Sequence, residues 1–325
     1  MPDEREPLPA RYDPIADGYA RHWGPVIRPA ALRVIDILAE RIATGGWAGS
    51  TARGGSGLAG RARGRAGIPT KGGAGLPRAT EGGAGLAGAE PLRHLVDVGT
   101  GTGVLAQAAL ARWPGVRVTG IDASREMILR AKTEAAAVLD PGALARLDLD
   151  VALADRLPHA DATFDAAVSS FVYQLVPDQA AALREALRVL RPGGWLVYAT
   201  WIRDTGPLPG ADRILEDVLD AFGFDPPAPD SGNGDAASPR AAADGLRRAG
   251  FRDVRATPSV IDHHWTPRSY AAFAEEFAEA SLFDDLVVRE RRDLRRRLIS
   301  ALGAAAPSEL RMRLPIVYVA GRRPA

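Results

Sequence analysis

Short apolar runs alternate with helical patterns of hydrophobic and polar residues from residue 93 to the end of the chain. Glycines, prolines or acids bound most of these runs. Runs of this length are typical of strands buried on both faces of a parallel sheet. We predict strands over residues 95–98, 116–122, 149–153, 164–171, 195–201, 254–260 and 312–321. Because helical patterns separate most of them, we predict an α/β fold with a doubly wound, mostly parallel sheet.

An N-terminal helical cap precedes the first predicted strand. Residues 11–23 open with Tyr12 and Asp13 and end in Tyr19 and Trp23, which is consistent with an amphipathic helix. Residues 28–43 place apolar side chains on one helical face, and these are Leu32, Ile35, Leu38 and Ile42. We therefore expect residues 1–43 to form a tail followed by helices.

Residues 44–90 differ in composition from the rest of the chain. About a third of them are glycine, arginines are scattered among them, and a glycine–leucine pattern recurs at 54–58, 72–76 and 82–86. Such a segment buries too little apolar surface to offset its loss of conformational entropy. We expect a disordered insertion here, between the cap and a main domain over residues 91–325.

A second helical region is predicted between the last two strands, over about residues 262–302. Thr266 and Pro267 are typical N-cap and N1 residues, and the helix after them places Tyr270, Phe273 and Phe277 on one face. The arginine-rich run 291–297 in the next helix is interpreted as a solvated face. We expect these helices to form a lid over the sheet.

Charge and composition narrow the function classes. Lys and Arg total 41 against 40 Asp and Glu, so net charge does not indicate a nucleic-acid surface. Cysteine is absent, which excludes disulfides and thiolate nucleophiles in this sequence. No run approaches the roughly 20 apolar residues of a membrane span, and the first residues lack an apolar signal core. We expect a cytoplasmic protein without a membrane segment.

The chemistry centres on the first predicted strand and the turn after it. Asp97 is followed by glycines at 99, 101 and 103 in the pattern acid-x-Gly-x-Gly-x-Gly, and a helix follows. Glycines allow a sharp turn and the close approach of a ligand, and the helix directs free N–H groups towards it. The spacing differs from the G-x-G-x-x-G dinucleotide fingerprint. Asp122, at the end of the next strand, can accept ribose hydroxyls.

This motif resembles motif I of class I S-adenosylmethionine-dependent methyltransferases, in particular the small-molecule and quinone-biosynthesis-like group. Ala154-Asp155-Arg156-Leu157-Pro158, then Phe164-Asp165, and Leu190-Arg191-Pro192-Gly193-Gly194 resemble further motifs of that family. The resemblance implies a Rossmann-like, seven-stranded sheet and S-adenosyl-L-methionine as the cofactor. It implies these cofactor-binding residues: Asp97, Gly99, Thr100, Gly101, Gly103, Asp122, Ala123, Met127, Asp155, Arg156, Leu157 and Ser170.

The sequence indicates the methyl acceptor and any catalytic base less clearly than it indicates the cofactor. Topology suggests as substrate-binding residues Tyr12, Tyr19, Phe171, Tyr173 and Trp201. The candidate bases are His22, Tyr173, His263 and His264, although a structural histidine is the commoner outcome for each histidine. His263 and His264 are adjacent on a strand and would point to opposite faces, so we expect no metal site. The aromatic lid suggests a fairly apolar small molecule.

We therefore predict a methyltransferase that moves a methyl group directly to a small-molecule acceptor. An alternative within enzymes is an RNA or protein methyltransferase that uses the arginines of the insertion (Arg53, Arg61, Arg63 and Arg65). Another is a protein that binds the cofactor without catalysis. The sequence does not specify the oligomeric state or the acceptor atom.

Overall fold

A computed structural model of the chain describes residue 13 and residues 15–45, 92–224 and 234–325. One sheet organises these residues. Its strands are β1 (His94–Val98), β2 (Arg117–Asp122), β3 (Leu147–Val151), β4 (Phe164–Ser170), β5 (Leu190–Trp201), β6 (Arg252–His264) and β7 (Arg311–Arg322). Their order across the sheet is β3-β2-β1-β4-β5-β7-β6. β7 runs antiparallel to both of its neighbours, and the other pairs are parallel. The predicted seven-stranded, mostly parallel sheet is confirmed.

Helices cover both faces of this sheet. They are α1 (Gly24–Gly45), α2 (Val104–Arg112), α3 (Arg125–Val138), α4 (Pro141–Leu144), α5 (Gln179–Val189), α6 (Gly210–Ala221), α7 (Pro239–Arg248), α8 (Pro267–Phe273), α9 (Ala280–Asp284) and α10 (Val288–Ala304). One large apolar cluster lies under α1, α2, α6, α8 and α10, and a second lies under α5 and α7. No helix among the described residues has the length and apolar content needed to cross a membrane.

The structure shifts several predicted boundaries. β3 begins at Leu147, two residues before the prediction, and ends at Val151. β5 begins at Leu190 instead of Trp195, because Leu190 pairs with Phe164 before a bulge and Ala166 pairs with Trp195 after it. α1 begins at Gly24 and contains Pro29, whereas the apolar pattern predicted a start at residue 28. The division into domains remains a prediction, because residues 46–91 lie outside the described part.

Two π-helical turns join the cap to the lid. A short helical turn, Ala16–Gly18, leads into the first π turn, Tyr19–Trp23, which continues into α1. The second π turn, Ala274–Ala278, follows α8. The short turn Ala16–Gly18 meets the second π turn where Gly18 packs against the backbone of Glu276, so closely that a Cβ on Gly18 would lie 1.7 Å from that carbonyl oxygen.

The arginine-rich run on α10 is partly engaged inside the lid. Arg291 and Arg295 bind the buried carboxylate of Glu275 at 2.7 and 2.8 Å. The prediction of a solvated face therefore fails for Arg291, which is half-buried, whereas Arg292, Arg295, Arg296 and Arg297 are exposed. The cause is tertiary, since Glu275 belongs to the second π turn and not to α10.

Candidate functional site

The glycine-rich loop joins β1 to α2 at the carboxyl edge of the sheet. Gly99, Gly101 and Gly103 have φ values of 69°, 54° and 86°, in the left-handed region that favours glycine. A Cβ on Gly101 would meet no atom within 4 Å, so the backbone is open on that side. Gly103 is the N-cap of α2, whose first N–H groups lie next to the loop. The loop can thus place its main chain directly against a ligand.

Asp97 in β1 is the acid enclosed by this loop. Its Oδ2 accepts hydrogen bonds from Thr100 Oγ1 at 2.7 Å and from the Ala106 N–H at 3.1 Å. Its Oδ1 is buried and lacks a partner among the described residues. Burial raises the pKa of Asp97 to about 7, although both hydrogen bonds oppose the shift. Because an unpaired buried acceptor is costly, Oδ1 is suited to accept from a ligand donor.

Asp122 links the end of β2 to the same loop. Its Oδ2 accepts from the Gly101 N–H and its Oδ1 from the Ser124 N–H, both at 2.9 Å. Burial raises the pKa of this half-buried carboxyl group, and the backbone hydrogen bonds oppose that shift. Each oxygen retains a lone pair, so the carboxylate can still accept two hydroxyl groups.

A small cavity lies between the loop and the cap. Its lining from the sheet side is Asp97, Gly99, Thr100, Gly101, Thr102, Val104, Leu105 and Ser170, and from the cap side Tyr19, Gly24, Ile27, Arg28 and Ala31. The cavity measures about 40 Å³. Binding pockets for small molecules are about 300 Å³ or larger. The cavity in this structure is therefore smaller than a nucleoside requires.

The start of the cap is attached beside Asp122. Ser124 Oγ donates a hydrogen bond to Asp13, and Ser124 also caps α3 by accepting from the Met127 N–H. Asp17 forms an ion pair with Arg130 of α3. These contacts bring the N-terminal segment across the carboxyl ends of β1 and β2. Tyr12, a predicted substrate contact, lies outside the described residues.

Aromatic side chains continue from this cavity towards the lid. Ser170 lines the cavity, and the next residue, Phe171, has a φ of 58° and stacks on Trp201 at 4.2 Å. Trp23 lies 6.1 Å from Trp201 and 5.5 Å from Phe273 between ring centroids. We call the connected set the aromatic cluster, and its members are Tyr19, Trp23, Phe171, Trp201, Trp265, Tyr270, Phe273 and Phe277. It joins cap, strand ends and lid.

The remaining predicted cofactor residues do not line the cavity. Ala123 is half-buried between Asp122 and Ser124, and Met127 is buried on α3. Asp155 is half-buried, whereas Arg156 is exposed. Leu157 packs in the second apolar cluster, and its N–H donates to Glu185 at 2.8 Å. Their assignment to the cofactor remains a prediction.

The candidate bases occupy four different surroundings. His22 Nε2 lies 2.9 Å from Glu276 Oε2, to which Arg21 is also paired at 2.8 Å. Tyr173 is fully buried in the second apolar cluster, where burial raises the pKa of its hydroxyl. His263 packs edge-on against Trp265, and burial lowers its pKa. His264 is exposed. None of the four lines the cavity.

Two features of the site were missed by the sequence reasoning. Arg28 and Ile27 belong to the cavity wall, yet the helical pattern drew attention only to the apolar positions after them. Glu276 connects the cap to the lid through His22 and Arg21. The spacing of Gly24, Ile27, Arg28 and Ala31 marks one helical face, but only the fold shows that this face meets the loop.

A larger groove of about 320 Å³ lies between α6 and α10. Its charges are satisfied within the protein, because Arg213 pairs with Asp217 and Glu309 while Arg297 lies over the ring of Phe222. No predicted site residue lines it. In the part of the chain that the structure describes, no group of three histidine or acidic side chains is arranged to hold a metal ion.

Comparison with known proteins finds a family match that includes the glycine loop. Residues 96–198 match the family described as a methyltransferase domain. The chain is similar to the ubiquinone/menaquinone biosynthesis C-methyltransferase UbiE of Geotalea daltonii, with 40% identity over 108 residues, 33% of this chain and 45% of that protein. The Bradyrhizobium diazoefficiens protein of the same name is 34% identical over 174 residues, 49% of this chain and 66% of that protein.

A fungal protein with a different acceptor atom is also similar. An O-methyltransferase of Pyrenophora dematioidea is 40% identical over 126 residues, which cover 38% of this chain and 45% of that protein. The chain thus spans between 45% and 66% of the length of these curated relatives. The family match over residues 96–198 contains the loop, Asp122 and Phe171.

Proposed function

We propose that this chain, which carries a class I S-adenosylmethionine-dependent methyltransferase domain, transfers the methyl group of that cofactor to a small, largely apolar acceptor. The observation that carries the proposal is the junction at Ser170 and Phe171. Ser170 lines the cavity at the glycine loop, and Phe171 begins the aromatic cluster. A cofactor at the loop and an acceptor in the aromatic cluster would therefore be neighbours.

The residues at the loop fit the cofactor. S-adenosylmethionine supplies a methyl group that its sulfonium already activates. Asp97 Oδ1 offers a buried acceptor for the cofactor's ammonium group, and Asp122 offers acceptors for the ribose hydroxyls. The task of the chain is then to bind both partners in line and to exclude water. The aromatic cluster suits the second task because it covers the strand ends with apolar surface.

The acceptor class follows from the same surface. Phe171, Trp201 and Trp23 offer ring faces, so a flat apolar molecule would bury much of its area against them. The similar proteins are named as C- and O-methyltransferases, and one such name includes quinone biosynthesis. We therefore propose an aromatic acceptor such as a hydroquinone or a phenol. A cytoplasmic location stays a prediction.

The test is transfer of a radiolabelled methyl group from S-adenosylmethionine to 1,4-naphthohydroquinone, catechol and total tRNA. We expect label in one or both small aromatic compounds and none in tRNA. Trp201→Ala should lower kcat/KM for the labelled compound about tenfold or more, because a large apolar contact is lost. Its affinity for S-adenosylhomocysteine should match that of the wild-type protein.

Phe222→Ala is the matched control, since this half-buried ring lies at the end of α6, under the guanidinium of Arg297. It should leave kcat/KM unchanged. Cofactor binding without label in any acceptor would favour a non-catalytic binding protein. Label in tRNA alone would support a nucleic-acid methyltransferase instead.

The affinity for S-adenosylhomocysteine should depend on pH through Asp97. The raised pKa means that the folded protein without ligand keeps this carboxyl group protonated below about pH 7. Because the ammonium group of the ligand needs the ionised form, affinity should rise about tenfold between about pH 6 and pH 8. Calorimetric titration at several pH values between about pH 6 and pH 8 measures this change in affinity.

Asp97→Asn is the control for that pH dependence. It should bind weakly at every pH and should flatten the profile, because the titrating group is gone. An unchanged slope in this variant would mean that a group other than Asp97 is responsible.

A further inference from the structure

The indole of Trp23 lies between the strand ends and the lid. Trp23 is the last residue of the first π turn, and it is half-buried. Its ring centroid is 5.5 Å from that of Phe273 and 6.3 Å from that of Phe277, on which it stacks with an interplanar angle of 14°. Trp201, at the end of β5, is 6.1 Å away. One side chain of the cap thus pairs with three rings of the sheet and the lid.

This position continues the path that leads from the glycine loop into the aromatic cluster. Ser170 lines the cavity, Phe171 follows it in the chain, and Phe171 stacks on Trp201 at 4.2 Å. Trp23 is the next ring after Trp201. An acceptor that receives a methyl group from a cofactor at the loop must bind near the start of this path, where the indole now packs.

A polar link holds this part of the cap against the lid. Arg21 pairs with Glu276 of the second π turn at 2.8 Å, and His22 Nε2 lies 2.9 Å from the same carboxylate oxygen. The Arg21 side chain is 60% exposed, and exposed ion pairs contribute little to stability because water screens them. Movement of the indole away from the lid would therefore break a link of modest strength, and an incoming aromatic molecule would replace the ring contacts.

We propose that the Trp23 indole occupies the acceptor position in this structure, and that the acceptor is a two-ring aromatic molecule that displaces it. This inference rests on the proposed function and narrows its acceptor class. A fused bicycle is close to an indole in size and shape, so it would form similar stacked and tilted contacts with Trp201, Phe273 and Phe277. The displaced indole would then cover the outer side of the bound acceptor.

The cap would thereby regulate access to the acceptor position. The link from Arg21 and His22 to Glu276 favours the arrangement in which the indole lies among the rings. The acceptor has to compete with this intramolecular ligand, so its apparent affinity is reduced by the fraction of protein in which the position is free. Removal of the indole, or weakening of the link, should raise the affinity for a bicyclic molecule.

The experiment is calorimetric titration of 2-naphthol and phenol into the wild-type protein and Trp23→Ala. Removal of the indole leaves an apolar space, and apolar cavities bind aromatic molecules. We expect Trp23→Ala to bind 2-naphthol about tenfold more tightly than the wild-type protein, because no indole competes. Phenol should bind this variant about tenfold more weakly than 2-naphthol, because it buries one ring fewer.

Trp113→Ala is the matched control. Trp113 is also half-buried, and it packs on the large apolar cluster at the end of α2, outside the aromatic cluster. This variant should bind 2-naphthol no more tightly than the wild-type protein. Equal affinities of Trp23→Ala and the wild-type protein for 2-naphthol, or an equal gain in Trp113→Ala, would overturn the acceptor position. Equal affinities of Trp23→Ala for 2-naphthol and phenol would overturn the two-ring class.

Glu276→Gln tests the same proposal in a protein that retains every ring. The amide removes the negative charge that Arg21 and His22 contact, so 2-naphthol should bind about two- to threefold more tightly than to the wild-type protein. An unchanged affinity would contradict displacement of the indole. Binding of 2-naphthol to the wild-type protein without methyl transfer from S-adenosylmethionine to any aromatic acceptor would instead overturn the proposed function.

Discussion

Replacing Asp122 with alanine is expected to lower the affinity for S-adenosylhomocysteine by about 10- to 100-fold, the scale of about 1.5–3 kcal/mol for hydrogen bonds to a charged group. The carboxylate already accepts from the N–H groups of Gly101 and Ser124, which fix its orientation at the carboxyl end of β2. Its remaining lone pairs would accept the ribose hydroxyls. Removal of the side chain loses both functions at once.

Calorimetric titration measures this loss, and ligand choice separates its two parts. Adenosine should show a smaller affinity in the variant, whereas 2′,3′-dideoxyadenosine, which lacks the hydroxyls, should bind both proteins about equally weakly. Asp122→Asn keeps an oxygen and should lose less than the alanine variant. The control Asp148→Ala removes an exposed acid from the neighbouring strand β3 and should have no effect. Wild-type affinity in Asp122→Ala would contradict the ribose assignment.

Gly18→Ala should destabilise the fold by about 2–3 kcal/mol, because the added methyl group has no space. Its Cβ would lie 1.7 Å from the carbonyl oxygen of Glu276 and 2.6 Å from the carbonyl carbon. Both atoms belong to the backbone of the second π turn, so no side-chain rotation relieves the clash. Cap and lid would have to separate locally, which exposes part of the aromatic cluster. Urea denaturation followed by tryptophan fluorescence measures the change.

Gly303→Ala is the matched control for this prediction. Gly303 also lies in a helix, α10, and a Cβ there would meet no atom within 4 Å. Alanine is favoured over glycine in a helix interior, so this variant should be about 0.5–1 kcal/mol more stable than the wild-type protein. If Gly18→Ala were as stable as Gly303→Ala, the close contact between cap and lid would be wrong.

Much of the fold was predictable from the sequence because its signals are local. Apolar runs and helical periodicity predicted every strand of the sheet, and Thr266 was identified as the N-cap of its helix. The predicted boundaries of strands and helices are wrong where a segment distant in sequence determines them. β5 begins earlier than predicted because Leu190 pairs with Phe164 of β4. No pattern within residues 190–195 indicates that pairing.

The candidate site likewise has a part that the sequence predicted and a part that it did not. The motif around Asp97, Gly99, Gly101 and Asp122 predicted the loop, because glycine conformations and strand-end acids depend on short stretches of chain. The orientation of longer side chains was not predictable. Tyr173 follows β4 and was a candidate base, yet the structure buries it completely under α5. Burial depends on what packs against a residue, which its neighbours in sequence do not specify.

The sequence by itself determined the order of elements, the glycine loop and the family resemblance that the domain match confirms. Only the tertiary structure decided which atoms and surfaces are available to contact a ligand. The unpaired oxygen of Asp97, the face of α1 that carries Arg28, and the contact between Gly18 and Glu276 each join segments far apart in the chain. Local periodicity cannot specify such contacts, because they arise from packing among whole helices and strands.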